Sequence, residues 1–213
     1  AVADGLTKPR AEGGWGGNAF TLWVDTDRVN DGTYWPYADE MVNIATRNKA
    51  YVTFGWHAAN DQEHPSHIDS AGIAAMRQVA ARYRNNPAVL YTTQIEPGPG
   101  VPDNRLLSWS ELKPWQEQTI EAIRAESPNA VIAYSGTSWS QNFGALLADP
   151  IIRPNLMVQP HIYNHEGYGT LTELLNDRQV SALAARWPVV IGEFGSNAFP
   201  AELLRYADSQ GIS

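Results

Sequence analysis

The stretch ARYRNNPAVLYTTQIEPG, Ala81 to Gly98, carries the reading of the fold. It begins as the polar end of a helix-period segment, turns at Asn86-Pro87, and enters an apolar and β-branched run. That run stops on a single carboxylate, Glu96, and breaks on Pro97-Gly98-Pro99-Gly100. Helix, turn, strand and a charged loop follow one another within eighteen residues. Two questions follow from it: whether Glu96 is a catalytic acid presented at a strand end, and why Ile95 stands directly before it.

Working outward, the same order recurs. Apolar β-rich runs lie at Ala19–Val24, Ala50–Trp56, Ala88–Ile95, Ala130–Tyr134, Leu156–Tyr163 and Trp187–Gly192. They are continuously apolar, as parallel strands covered by helices are. Between them, Tyr37, Met41, Ile44 and Ala45 share one helical face, as do Ile73, Met76, Val79, Ala80 and Tyr83. Trp115, Ile120 and Ile123 form another, and Leu171, Leu174 and Leu175 a fourth. Alternating β and α elements predict an α/β class with a parallel sheet. Polar and aromatic residues follow each run: Asp25 and Asp27, His57, Glu96, Ser135, Tyr163 and Glu193. In a (β/α) barrel the strand C-ends build the active site. A doubly wound sheet also binds at strand C-ends, but no glycine-rich fingerprint follows a strand here; Gly13-Gly14-Trp15-Gly16-Gly17 precedes one.

Six strands are convincing, whereas a closed barrel of this type has eight. Ala1–Trp15 is too short for a complete strand-helix unit, and Gln210-Gly211-Ile212-Ser213 reads as the start of a further strand. The expectation is a shortened (β/α)8 TIM barrel, its first and last strands missing or truncated. With no repeat, linker or low-complexity segment, residues 1–213 read as one domain.

Composition narrows the function. The 213 residues are 43% hydrophobic and 18% charged, with a formal net charge of −8, which argues against nucleic acid as a partner. No apolar stretch is long enough to span a membrane. There is no cysteine, so disulfides and thiolate zinc sites are excluded together. Ala1-Val2-Ala3-Asp4 lacks an initiator Met and a signal peptide, and reads as a mature or trimmed end. Eight Trp and nine Tyr supply faces that stack on sugar rings, although several must simply be core.

Glu96 and Glu193 occupy matching places, each ending an apolar run and each followed by a turn. Two carboxylates at one barrel mouth can flank a glycosidic bond. One protonates the leaving oxygen, and the other attacks the sugar or activates water. The plainer reading of either alone is a solvated loop charge. The pair together favours chemistry.

On these residues the chain resembles glycoside hydrolase family 5, the cellulase and mannanase family of retaining (β/α)8 barrels. "YVTFGWH" resembles its third strand and "ARYRNNPAVLYTTQIEPG" the helix, turn and fourth strand. "VIAYSGTSWSQ" resembles the fifth, "MVQPHIY" the sixth and "PVVIGEFG" the seventh. The resemblance runs from about Asn18 to Ser213. It implies Glu96 as acid/base, Glu193 as nucleophile, Tyr163 close to the nucleophile and His161 lining the cleft. It also implies His57, Trp56 and Trp139 as substrate contacts; Asp25 and Gln94, beside strand ends, are further expected substrate contacts, and no cofactor or metal is expected. The family has Asn before its acid/base, Arg on its second strand and, in many members, Asp before Trp-His. This chain has Ile95, Thr21 and Gly55 there. The Asn reads the sugar 2-hydroxyl and the Arg supports the nucleophile, so both carboxylates are kept while part of their support is exchanged.

Other chemistries find less. "WHAANDQEHPSH" gathers His57, Asp61, Glu63, His64 and His67, but lacks the His-Glu-x-x-His helix spacing and contains Pro65. Asp25 and Asp27 read as loop acids rather than calcium ligands, and no nucleophile elbow is present. Two functions stay open. One is a secreted, retaining, endo-acting hydrolase of β-1,4-linked glucan or mannan. The other is a weakened barrel that binds glycan or acts as a scaffold. Unpaired strand edges further suggest a homo-oligomer that covers them.

Overall fold

The structure, a computed structural model, describes residues 2–57, 65–100, 104–195 and 198–213. Its strands are β1 Ala19–Val24, β2 Tyr51–Trp56, β3 Val89–Thr92, β4 Ile132–Ser135, β5 Leu156–Gln159, β6 His161–Tyr163 and β7 Glu193–Gly195. The helices are α1 Val2–Thr7, α2 Thr26–Asp31, α3 Trp35–Arg47, α4 Ser70–Tyr83 and α5 Trp109–Glu126. They continue as α6 Thr137–Ser140, α7 Gly144–Ala148, α8 Leu171–Asp177, α9 Val180–Ala184 and α10 Pro200–Gln210.

β1 to β5 lie in chain order in one parallel sheet, and β6 pairs in parallel with β7. The run expected at Leu156–Tyr163 is thus divided at Pro160, whose nitrogen has no proton for the ladder. Backbone bonds carry the sheet across the break. Val190 N–H donates to Val158 O at 3.0 Å, and Gly192 N–H to Pro160 O at 3.0 Å. The seventh run is also displaced from its expected place. It begins pairing at Val189, and its regular part is Glu193–Gly195 rather than Trp187–Gly192. Parallel strands linked by helices make a shortened (β/α) barrel, as expected.

The two edges differ. Ser213 N–H donates to Val189 O at 3.3 Å and its carbonyl accepts from Ile191 N–H at 2.7 Å, the bond pair of a parallel neighbour. At the other edge, among the described residues, β1 pairs with β2 alone.

Side chains along a strand alternate between faces. Leu22, Val24, Val52, Phe54, Tyr91, Ile132, Tyr134 and Val158 are buried and join Met41, Ile44, Met76, Val79, Ile120 and Ile123 in one core. On the opposite, concave face Trp23 is 52% and Tyr51 47% exposed. The expectation of evenly buried strands therefore holds for β4, buried at every position, and fails for β1, where burial alternates. Among the described residues, the concave side of β1 faces no closing strand. Tyr37, expected on the buried face of α3, is instead 45% exposed.

Local chemistry fixes where helices begin. Asp69 caps α4 by accepting from Gly72 N–H at 2.7 Å, and capping boxes open α5 (Ser108, Glu111) and α8 (Thr170, Glu173). In the core, the fully buried Phe54 stacks on Tyr83 at 5.1 Å and 10°. Phe54→Ala removes that ring from a packed site. It is expected to cost about 3–5 kcal/mol of unfolding free energy, read from urea denaturation.

Burial also raises the phenol pKa of Tyr34, Tyr83 and Tyr91, and that of Tyr134 to about 12. The unfolded chain releases these protons first. The stability they contribute is therefore complete below about pH 10 and falls as pH climbs toward the folded values. Urea midpoints taken across that boundary should be flat below it and drop above it; midpoints insensitive to alkali would contradict this.

Candidate active site

Glu96 follows the β3 run in a left-handed backbone conformation, φ 54°, which is strained for a residue with a Cβ. Neighbours hold it there from both sides. Ile95 N–H donates to Trp56 O at 2.9 Å, Ser135 Oγ to Gln94 O at 2.6 Å, Gly98 N–H to Pro65 O at 3.0 Å, and Trp139 N–H to Pro97 O at 2.9 Å. Ile95 is buried over Gly55, where an added Cβ would stand 2.6 Å from its Cδ1. The two departures from the family pattern at 55 and 95 thus touch: the missing side chain of one makes room for the larger side chain of the other.

Glu193 opens β7 with its side chain 34% exposed, against 13% for Glu96. His161, fully buried on β6, stands between them. Its Nδ1 lies 2.8 Å from Glu96 Oε1 and 3.9 Å from Glu193 Oε2. Tyr163, two residues on and so on the same side of the strand, donates its hydroxyl to Glu193 Oε2 at 2.8 Å. Burial first, and then the Glu193 carboxylate, push the Tyr163 phenol well above its usual range. It therefore stays a proton donor to Glu193 throughout the neutral range. Among the described residues no Lys or Arg lies within ion-pair distance of Glu193, and Thr21 is exposed on the concave face of β1.

Glu96, His161 and Glu193 each offer a ligand atom within 4.8 Å of the other two, so among the described residues this trio could also hold a metal ion. A His and two carboxylates suit a first-row divalent ion.

The other expected contacts are distributed differently. His57 is buried and stacks under Trp23 at 4.2 Å and 10°. Trp139 is half-buried in a left-handed conformation, φ 53°, and lines a cavity of about 430 Å³ together with His165, Glu166 and Arg178. Three expected contacts are engaged with the protein's own groups. Trp56 turns into the helical layer, where its indole N–H donates to Thr26 Oγ1 at 3.0 Å and its ring packs against Gly72. Adjacent strand residues face opposite ways, so Trp56 and His57 cannot share the cleft side. Gln94 is fully buried, and both ends of its amide hold backbone. Oε1 accepts from Ile68 N–H at 2.8 Å and Nε2 donates to Pro65 O at 2.9 Å. Asp25 caps α2, its Oδ1 accepting from the N–H groups of Asp27 and Arg28 at 3.0 and 3.1 Å. In the loop weighed as a metal site, His67 stacks on Trp115, while Asp61, Glu63 and His64 lie outside the described residues.

A family model described as Cellulase (glycosyl hydrolase family 5) matches residues 13–212. The chain belongs to glycosyl hydrolase family 5. Curated relatives agree with the assignment. Endoglucanase Z of Dickeya dadantii is 31% identical over 159 residues, covering 74% of this chain and 34% of its own length. Endoglucanase A of Evansella cellulosilytica is 26% identical over 188 residues, 86% of this chain and 36% of its own. This family 5 chain therefore spans about a third of the length of these relatives. Among solved structures, a β-glucanase from Saccharophagus degradans in complex with cellotetraose superposes with a TM-score of 0.76 at 19% identity. It covers 93% of this chain and 68% of that one, a likeness of fold.

Two residues at the site were not singled out from sequence: Gln159 and Thr92. Thr92 Oγ1 donates to Gln159 Oε1 at 2.7 Å, and Gln159 Nε2 lies 3.3 Å from His161 Nε2. The available signal was spacing. Gln159 stands two residues before His161 in an otherwise apolar run.

Proposed function

We propose that this chain is a retaining, endo-acting hydrolase of β-1,4-glucan. The observation that carries the reading is the close opposition of Glu96 and Glu193 across His161, with carboxylate oxygens within 4.8 Å. Carboxyl groups about 5–5.5 Å apart suit direct attack, whereas inversion needs roughly 6.5–9.5 Å to seat a water. In the first step Glu193 attacks the anomeric carbon as the glycosidic bond breaks, and Glu96 gives its proton to the departing oxygen. In the second, Glu96 takes a proton from water, which attacks the same carbon and releases Glu193 from the ester. Tyr163 supports the nucleophile from one side. A hydroxyl is a weaker counter-partner than a cation, so Glu193 works here with less electrostatic help than an adjacent arginine would give.

Glucan rather than mannan is supported by the relatives, which are named endoglucanases. A polymeric glycan does not enter cells, and this supports secretion. The edge of β1, unpaired among the described residues, supports self-association; a dimer is expected in sedimentation, and a monomer removes self-association from the reading.

The competing reading, a glycan-binding barrel without turnover, is favoured by the apolar Ile95 beside Glu96 and by the exposed concave face. Reducing-end assays on soluble β-glucan and β-mannan separate the two. Release of glucan fragments, lost on substitution of either glutamate, supports hydrolysis. Binding of the same glucan without release would establish the competing reading.

A further inference from the structure

We propose that Gln159 is a positioning residue: it fixes the tautomer of His161 so that Nδ1 carries the proton donated to Glu96. Thr92, Gln159 and His161 are buried, and Glu96 is partly buried. Thr92 Oγ1–H is given to Gln159 Oε1 at 2.7 Å. The amide nitrogen then faces His161 Nε2 at 3.3 Å. An amide N–H can only donate, so Nε2 must be the unprotonated nitrogen, and the ring proton resides on Nδ1. Nδ1 lies 2.8 Å from Glu96 Oε1 and donates to it. Gly192 leaves the room for this arrangement, since an added Cβ would stand 2.1 Å from Gln159 Nε2.

The consequence rests on the proposed function. Because Oε1 of Glu96 accepts from His161, the carboxyl proton must sit on the other oxygen when Glu96 acts as an acid. Gln159 therefore selects which oxygen delivers the proton, three groups away from the bond that breaks. The ionisable groups facing the ring are Glu96 from the loop after β3 and Glu193 from β7, with Tyr163 of β6 donating to Glu193.

The test reads the tautomer directly, by multiple-bond ¹H–¹⁵N spectra of histidine-labelled protein, with His161 assigned by its loss in His161→Asn. In the wild type Nδ1 is expected to be protonated and Nε2 bare. Gln159→Glu places an acceptor at Nε2 and is expected to protonate it. Thr92→Val frees Gln159 Oε1 and is expected to mix the tautomers and lower kcat about tenfold with KM little changed. Thr92→Ser keeps the hydroxyl and restores both. A wild-type His161 protonated at Nε2, or one whose tautomer is unmoved by Gln159→Glu and Thr92→Val, overturns the proposal. The spectra need no substrate, so they stand apart from the function itself. A wild type that hydrolyses no glucan would remove the proposed activity and leave the tautomer result readable.

Discussion

Glu193→Gln is expected to reduce kcat on soluble β-glucan by about 10⁴-fold or more, the loss seen when a covalent nucleophile is removed. The substitution changes little else. Glutamine has nearly the same shape, and its amide oxygen can still accept the Tyr163 hydroxyl that now meets Glu193 Oε2 at 2.8 Å. The packed interior is left as it was, since the Glu193 side chain is 34% exposed. What disappears is the anionic oxygen proposed to form the bond to the anomeric carbon. Glucan binding should remain, so steady-state kinetics should show the loss in kcat and a KM within a few-fold of wild type. A drop of only tenfold would mean that Glu193 supports the reaction electrostatically, with another group or water attacking.

Glu96→Gln is expected to lower kcat/KM on polysaccharide by about 10² to 10⁴-fold, the range for losing a positioned general acid. Here the size of the effect must depend on the leaving group. A sugar alkoxide needs the proton, whereas a nitrophenolate leaves without it. The first step on an aryl glycoside should therefore be nearly normal, as a burst of phenol followed by slow turnover, because the second step still lacks its base. Azide needs no deprotonation and should accelerate that second step. Equal losses on both substrates, with no burst, would remove Glu96 from the acid/base role. The left-handed backbone at Glu96 belongs to its neighbours' hydrogen bonds, so the glutamine variant keeps the same frame.

The parts of this site that sequence exposes are those set by position along a strand. Glu96, Glu193, His161 and Tyr163 follow or end apolar runs, and the structure brings all four together. The spacing of His161 and Tyr163, two residues apart, already puts them on one side. What misleads is the same periodicity applied carelessly. Trp56 is next to His57 and so belongs to the opposite face, which its hydrogen bond to Thr26 confirms. Gln94 is two residues before Glu96 and would share its face in a regular strand. The backbone leaves that regularity after Thr92, and at Glu96 it is left-handed, so Gln94 is buried instead. Asp25 carried a legible alternative. An aspartate directly before a helical segment is a helix cap, and local hydrogen bonding claims its carboxylate before any ligand can.

The packing of Ile95 on Gly55 was not legible, because it joins two strands whose pairing with β3 and its extension only the fold supplies. Each looked like a separate departure from the family pattern. Together they form one packed unit beneath the acid, so the apolar residue beside Glu96 has a structural partner. The Thr92–Gln159–His161 chain escaped for a related reason: it crosses from β3 to β5, and Gln159 looks like an ordinary strand residue until its partners are in place.

Glu193 is proposed to form a covalent bond to the sugar during turnover. The most direct measurement is mass spectrometry of the protein after incubation with a 2-deoxy-2-fluoro cellobioside bearing a dinitrophenyl leaving group. The fluorine slows both steps, and the activated leaving group lets the first outrun the second. One added glycosyl unit per chain, mapped by proteolysis to the peptide containing Glu193 and absent from Glu193→Gln, is the predicted result. A label on another residue, or cleavage of the reagent with no ester formed, would contradict the account.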